Sequence, residues 1–290
     1  MNQNTCQLLL NLNRQFYATV ADDFDSTRLN VPMGMVRVLN YVRAVRQEKK
    51  TARQGDRETG RQGDKVTGNG SPLGEDRGDL EMPLTVLDAG CGNGRFCWAL
   101  ERLETPITYL GVDADEQLLA HAREHTKSLK HVRATFSEIN LADLHAFPFT
   151  IPNTPFTIIS SFAVLHHMPS YELRLQIVRW LASLLAANGV LLLSTWQFLN
   201  SPRLVAKQLD WSIVGVDPRE TEVGDALLPW NQGTYAVRYA HQIDEDELRQ
   251  LAADAGLMVK EIYYADGKEG NLNLYGVLCN AESISKGFLV

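Results

Sequence analysis

The chain has 290 residues, of which 44% are hydrophobic and 22% are charged, as is ordinary for a globular protein. No apolar run approaches the ~20 residues of a membrane span, and the first residues lack the basic and apolar regions of a signal peptide. The net charge of −7 argues against nucleic-acid binding through the overall field of the protein, so any RNA contact needs a local basic patch or a partner that supplies one.

The four cysteines (Cys6, Cys91, Cys97 and Cys279) include no CxxC pair. This spacing argues against a disulfide framework and against a cysteine zinc site. We therefore expect free thiols, a cytoplasmic location and no bound metal.

Two helices are predicted ahead of the main domain, because apolar residues recur at helical spacing over 5–25 and again over 35–45. We interpret 1–46 as an N-terminal helical lid. Residues 47–80, which follow, are rich in glycine and charge and poor in apolar side chains. Such a segment buries too little surface to offset its chain entropy, so we predict a disordered insertion.

A strand, a glycine turn, a helix and a second strand are predicted between Leu84 and Asp115. Asp88 ends the first strand, Asp113 ends the second, and Gly90, Gly92 and Gly94 form the turn. Glycine lets the backbone approach a ligand, the helix start offers free N–H groups, and the second acid can accept two ribose hydroxyls. The first acid would repel a pyrophosphate but suits an ammonium group. The segment therefore predicts a site for a nucleoside cofactor.

Strands and helices alternate from Leu84 onward, which predicts an α/β fold with a doubly wound parallel sheet. The strands are predicted at 84–88, 107–112, 131–136, 156–162, 190–195, 258–264 and 272–279. The helices are predicted at 94–103, 115–127, 171–187 and 244–255, the last one capped at Asp244. We assign 81–281 to this core, with a substrate-lid insertion at about 197–241 and a tail at 282–290.

Ligands of an open parallel sheet lie beyond the carboxyl ends of its strands. Polar and aromatic side chains gather at those ends and in the segments that follow them: Asn140, Ser161, His166, His167, Trp196, Asp225, Trp230, Arg238 and Tyr239. Asp143 is a rival to Asn140 for a polar contact with the ligand. Either histidine could simply tie down its loop. The histidines are adjacent and no nearby acid cluster completes a ligand set, so a metal is not expected there.

The segment VLDAGCGNGR to GVDAD resembles the first motif of class I S-adenosylmethionine-dependent methyltransferases. The resemblance implies a Rossmann-like, seven-stranded, mostly parallel sheet with helices on both faces and an antiparallel last strand. It also implies S-adenosyl-L-methionine as the cofactor. The implied cofactor-binding residues are Asp88, Gly90, Cys91, Gly92, Gly94, Asp113, Ala114, Asn140, Leu141 and Ser161.

Further motifs resemble the tRNA wobble-uridine carboxymethyl methyltransferase family. They are FYATVADDFDSTR with Arg28, AVLHH, the following helix with Arg174, Trp196, GDALLPW and VRYAH. The chain departs from the family pattern at LNVP and at Met168, where the family commonly has tryptophan. The resemblance implies that the enzyme esterifies 5-carboxymethyluridine in tRNA and works with a small zinc-binding activator subunit.

The implied reaction assigns roles to the candidate residues. A carboxylate is already a nucleophile near neutral pH, so methyl transfer needs alignment and a dry site rather than a general base. Arginine binds a carboxylate bidentately without taking its charge. We therefore predict that Arg28 and Arg238 hold the carboxylate while His166 and Asp225 shape the pocket. The predicted substrate-binding residues are His167, Arg174, Trp196, Trp230 and Tyr239.

Two other functions stay open. A class I methyltransferase acting on a small-molecule carboxylate or hydroxyl fits the acidic net charge and Met168. A binding module on a Rossmann-like core, without methyl transfer, fits the glycine turn taken alone.

Overall fold

The computed structural model describes residues 1–47, 83–144 and 155–281. The insertion predicted at 47–80, apart from its first residue, and the tail predicted at 282–290 lie outside the described residues. None of the helices in the described ranges is long and apolar enough to cross a membrane.

Nine strands are present in the described residues. They are β1 (Leu84–Ala89), β2 (Ile107–Asp113), β3 (Val132–Glu138), β4 (Phe156–Phe162), β5 (Leu185–Trp196), β6 (Asp225–Trp230), β7 (Ala236–His241), β8 (Leu257–Ala265) and β9 (Asn273–Asn280). Seven form one sheet in the order β3-β2-β1-β4-β5-β9-β8, in which β9 runs antiparallel to both of its neighbours. The other pairings in this sheet are parallel. The predicted seven-stranded, mostly parallel sheet is therefore confirmed.

Seven α-helices accompany the strands. They are α1 (Gln3–Ser26), α2 (33–47), α3 (Arg95–Glu101), α4 (Glu116–Thr126), α5 (Tyr171–Ser183), α6 (Pro202–Val205) and α7 (Glu245–Asp254) among the described residues. The predicted cap of α7 is present, because the Asp244 side chain accepts a hydrogen bond from the Glu247 amide.

The central sheet is covered on both faces, as the strand sequences require. Successive side chains of a strand point to opposite faces, and in β1 Val86 and Leu87 belong to two different apolar clusters. The Leu87 cluster contains residues of α5 and α7, whereas the Val86 cluster contains residues of α2 and α3. The central strands β1, β4, β5 and β9 therefore contribute apolar side chains to both clusters.

One predicted boundary is wrong. The helix predicted at 171–187 ends at Ser183, and β5 begins at Leu185 rather than at 190. Leu185 pairs with Phe156, and the register then shifts before Val190 pairs with Ile158. Pairing with β4 therefore overrides the helix propensity of the alanines at 186 and 187.

The segment 197–241 holds an antiparallel hairpin that was not predicted. Its strands, β6 and β7, form a sheet of their own, with Asp225 paired to His241 and Trp230 to Ala236. Helix α1 packs on this hairpin through Phe16 and Leu9. This packing joins α1 to the hairpin, the two parts of the chain that were predicted as lids and that are far apart in sequence.

Candidate active site

A cavity of ≈ 690 Å³ opens at the carboxyl ends of β1, β2, β4 and β5, beneath α1 and the β6–β7 hairpin. Its volume suits a drug-sized ligand. Most of the predicted site residues line it: Arg28, Asp88, Gly90, Cys91, Gly92, Asp113, Ala114, Asn140, Leu141, His166, His167, Trp196, Trp230 and Arg238. The fold thus brings together residues spread over more than two hundred positions of sequence.

The glycine turn is shaped by hydrogen bonds to the end of β2. The amides of Gly90 and Cys91 donate to the Val112 carbonyl at 2.7 and 3.0 Å, and the Gly92 amide donates to the Asp113 carboxylate at 2.8 Å. Gly90 has a φ of +79°, and a Cβ there would lie 2.2 Å from Cγ2 of Val164. Only glycine fits this position without a shift of the loop that follows β4.

An acid marks the end of each of β1 and β2: Asp88 is buried, and Asp113 is half-buried. Asp88 accepts hydrogen bonds from the Tyr109 hydroxyl at 2.6 Å and the Ser160 hydroxyl at 2.7 Å. Asp113 accepts from the amides of Gly92 and Asp115. Burial raises the pKa of each carboxyl group to about 6. Both acids would gain from a ligand that brings positive charge or hydroxyl donors.

The far end of the cavity is less polar. Leu141 and Ala142 line it, and the Asn140 side chain turns back on its own loop. Its oxygen accepts from the Ala142 amide at 3.1 Å, and its nitrogen donates to Asp143 at 2.6 Å. The two rival polar residues are therefore bonded to each other.

These features fit S-adenosylmethionine. Asp113 would hold the ribose hydroxyls, Leu141 and Ala142 would pack against adenine, and Asp88 with Gly90 would face the amino-acid tail.

Arg238 is a cation held among aromatic rings. Its guanidinium carbon lies 4.4 Å from the Trp196 ring centroid, 5.6 Å from that of Trp230 and 5.3 Å from that of Phe16. Its Nε is buried and has no hydrogen-bond partner among the described residues. Burial lowers the pKa of Arg238 to about 10, so the side chain keeps its charge at neutral pH. A desolvated cation of this kind would be stabilised by an anionic ligand.

Arg28 and Arg95 are two of the further arginines that line the cavity. Arg28 lies 4.6 Å from the Phe24 ring centroid and 5.9 Å from that of Trp230. Arg95 was not predicted, because its position directly after the glycine turn was interpreted only as the start of a helix. Burial first, and repulsion by Arg28 second, lower the pKa of Arg95 to about 10. The cavity therefore holds more positive charge than the sequence motifs indicated.

The two histidines are fixed by different partners. His167 Nδ1 lies 3.0 Å from the Tyr239 carbonyl and therefore donates, so Nε2 accepts from the Tyr17 hydroxyl at 2.8 Å. His166 Nδ1 accepts from the Trp196 amide at 3.2 Å. Burial lowers the pKa of both rings, that of His167 to about 3, so both are neutral. Tyr17 lines the cavity and was not predicted, since it resembled an ordinary apolar position of α1.

Asp225, Arg174 and Tyr239 do not line the cavity. Asp225 accepts from the Tyr239 hydroxyl at 2.6 Å and lies 2.7 Å from His241 Nδ1. Arg174 is 1% exposed and forms ion pairs at 2.7 and 2.8 Å with two glutamates, Glu222 and Glu247. These residues hold the hairpin against α5 and α7. The substrate contacts predicted for Arg174 and Tyr239, and the pocket role predicted for Asp225, therefore have no support in this geometry.

Two predicted cofactor contacts also fall outside the cavity lining. A Cβ at Gly94 would lie 3.2 Å from the Ala122 side chain, so this glycine permits close packing of the turn on α4. Ser161 is fully buried, and its hydroxyl has no partner among the described residues.

The chain is similar to known methyltransferases. A family model described as "Methyltransferase domain" matches residues 49–262. A solved S-adenosylmethionine-dependent methyltransferase from Methanosarcina mazei shares the fold, with a TM-score of 0.54 at 19% identity over 69% of this chain and 92% of that chain.

Two curated relatives match shorter stretches. "Probable tRNA methyltransferase 9B" of Mus musculus is 26% identical over 51% of this chain, and "Ubiquinone biosynthesis O-methyltransferase" of Glaesserella parasuis is 30% identical over 38%. The matches span only 26% and 44% of those two proteins. Because the family model covers most of the chain, the chain belongs to the methyltransferase-domain family.

Proposed function

We propose that the enzyme methylates a carboxylate, and that this carboxylate is the carboxymethyl group of a wobble uridine in tRNA. The observation that carries the proposal is Arg238, a cation among aromatic rings whose Nε has no partner in the described residues. Arg28 and Arg238 both lie within 6 Å of the Trp230 ring centroid. The two cations therefore border one aromatic wall, against which a base can stack while its anionic substituent meets the arginines.

The residues of the cavity suit a carboxylate acceptor. When bound, S-adenosylmethionine supplies an electrophilic methyl group that a carboxylate oxygen can accept. Arg28 and Arg238 would orient the carboxylate without protonating it. The neutral histidines and the rings of Trp196 and Trp230 would keep water away from the nucleophile. Such a site needs no general base.

Support for an RNA acceptor comes from the family-like motifs and from the matched tRNA methyltransferase 9B relatives. Exposed cations also lie at the cavity, namely Arg14, Arg203 and Lys207. They supply the local basic patch that an acidic protein needs to bind RNA. The proposal includes a small zinc-binding activator subunit as partner and the cytoplasm as location. The four free cysteines support the cytoplasmic location.

A small-molecule carboxylate or hydroxyl is the second candidate acceptor. The ubiquinone biosynthesis relatives and the net charge of −7 favour it. The direct test supplies methyl-labelled cofactor with three acceptors: tRNA carrying carboxymethyluridine, the same tRNA with unmodified uridine, and a set of free acids and phenols. We expect label only in the first, released by mild alkali as an ester is. Label that stays off RNA and enters a free acid or a phenol would overturn the tRNA assignment.

Substitution of Arg238 tests the carboxylate site itself. We expect Arg238→Ala to lower turnover by about 10- to 100-fold, because a hydrogen bond between charged groups contributes about 1.5–3 kcal/mol. Cofactor affinity, measured by calorimetry, should be unchanged. Arg179→Ala is the matched control, since Arg179 is exposed on α5 and donates to the Asp254 carbonyl. Equal turnover in both variants would rule out a carboxylate at Arg238.

A further inference from the structure

A cluster of metal-ligating side chains lies beside the cavity, where α1 meets α4. His121 and His125 are one helical turn apart on α4, so both face the same side. Asp25, near the end of α1, lies between them: its carboxylate is 3.7 Å from His121 Nδ1 and 3.1 Å from His125 Nε2. One ligand atom of each residue lies within 4.8 Å of those of the other two. Three such ligands can converge on one ion with small rotamer changes.

Neighbouring groups already orient the ligands. The Asp22 carboxylate lies 3.0 Å from His121 Nε2. A hydrogen on Nε2 that bonds to Asp22 leaves the Nδ1 lone pair free on the side of Asp25. The Asn93 side-chain amide donates a hydrogen bond to the Asp25 carboxylate at 2.8 Å. A carboxylate behind a ligating histidine and a donor on the ligating carboxylate are the usual outer contacts of protein metal sites.

We propose that Asp25, His121 and His125 bind a divalent zinc ion. Two imidazole nitrogens and one carboxylate oxygen are a zinc-type ligand set, with a fourth position left for water. The three side chains are 14–32% exposed, so the ion can enter from solvent. The ion would join α1 to α4 and, through Asn93, to the glycine turn. It would therefore fix the end of α1 that leads to Arg28, whatever the acceptor of the methyl group is.

The test uses the full chain, stripped of metal with a chelator and titrated calorimetrically with Zn²⁺ alone. We expect one ion per chain, a rise in the midpoint of thermal unfolding and slower amide exchange over residues 17–28. His121→Gln and His125→Gln should lose this binding, and Asp22→Ala should weaken it by about tenfold. Circular dichroism of each variant confirms that it is folded.

Two variants serve as controls. His131→Gln removes a histidine that also contacts a carboxylate, that of Glu101 at 3.0 Å, but belongs to no three-ligand group among the described residues. It should bind Zn²⁺ like the unaltered chain. His241→Gln tests the other described cluster, formed with Glu222 and Asp225. The proposal is overturned if the unaltered chain binds no Zn²⁺, if His125→Gln binds it normally, or if His241→Gln removes the binding.

Discussion

Burial shifts the pKa values of the acids and of the arginine around the cavity in opposite directions. Desolvation raises the pKa of Asp88 and Asp113 to about 6 and lowers that of Arg238 to about 10. In each case burial disfavours the charged form. The acids lie under the region that fits the cofactor, and the arginine lies under the region proposed for the acceptor. Each site thus presents a charge that only a complementary ligand neutralises.

The raised acid pKa values predict a pH dependence of cofactor binding. The positively charged cofactor needs an ionised Asp88, so its affinity should fall as the pH drops below about 6, by at most about tenfold per pH unit for one carboxylate. Calorimetry between pH 5 and 8 measures this. Asp88→Asn should bind the cofactor more weakly at pH 7 and show a shallower fall. A constant affinity in the unaltered chain over this range would contradict the role of Asp88.

The same shifts affect stability with the opposite sign. The folded pKa of about 6 exceeds the ordinary 3.8 for both acids. Between these values the folded chain binds more protons than the unfolded chain, so these two groups make the free energy of unfolding rise as the pH falls from 7 towards 5. Cofactor-free stability and cofactor affinity should therefore change in opposite directions.

At the scale of elements, the glycine turn depends on the close contact between Gly90 and the Val164 side chain. Gly90→Ala places a Cβ 2.2 Å from Val164 Cγ2 at a φ of +79°, whereas a Cβ at Gly92 meets nothing within 4 Å. We expect Gly90→Ala to weaken cofactor binding strongly and Gly92→Ala to cost only backbone strain of about 1–2 kcal/mol. Val164→Ala added to Gly90→Ala should restore part of the binding. Cofactor titration of the four chains checks this, and identical losses at the two glycines would refute it.

The contacts between α5, α7 and the hairpin depend on Arg174. Its guanidinium is buried and joins Glu222 to Glu247. Arg174→Ala should lower the free energy of unfolding by about 3 kcal/mol, since it leaves two half-buried carboxylates without their cation. Arg179→Ala, on the same helix but exposed, should change it by less than about 0.5 kcal/mol. Urea unfolding measures both. An Arg174→Ala chain of normal stability but impaired acceptor binding would favour the substrate role instead.

Periodicity predicted the regular elements and missed the irregular ones. The central strands β1, β4 and β5 contribute apolar side chains to both faces of the sheet, so their positions were evident from runs such as FTIISSF. The hairpin β6–β7 was not, because Pro229 interrupts β6 and the hairpin packs on α1 rather than on the sheet. The start of β5 was missed for a related reason: only the partner Phe156 shows that Leu185 is extended. A local sequence pattern carries no information about pairing between distant segments.

For the whole molecule, the sequence located the cofactor site more fully than the acceptor site. Asp88 and Asp113 follow from strand ends, a local signal. Tyr17 and Arg95 line the cavity because of the way the chain packs around it, which local pattern does not show. Asp225 and Arg174 lie outside the cavity lining, and their predicted roles stay predictions, because a buried ion pair and a substrate contact use the same residue types. Motifs specify chemistry, and packing decides which residues face the ligand.

One side chain, that of Asn13, joins α1 to the residues on the other side of the cavity. Asn13 of α1 is buried; its nitrogen donates to the carbonyls of His167 and Tyr239 at 3.1 Å each, and its oxygen accepts from the Tyr239 amide at 2.8 Å. It thus connects the lid helix to the loop after β4 and to β7. Three buried backbone groups bond to this one amide, and one of them, the Tyr239 carbonyl, also accepts from His167 Nδ1.

Asn13→Ala should therefore loosen the lid. Loss of these three hydrogen bonds to buried backbone groups is expected to lower the free energy of unfolding by about 2 kcal/mol. It should also speed amide exchange in α1 and raise KM for the acceptor more than Kd for the cofactor, because Asp88 and Asp113 belong to the sheet. Asn11→Ala is the control, since Asn11 is exposed on the same helix and bonds only Gln7 among the described residues. If Asn13→Ala raises both constants equally, the lid and the cofactor site form one unit, and the division of labour between α1 and the sheet edge is wrong.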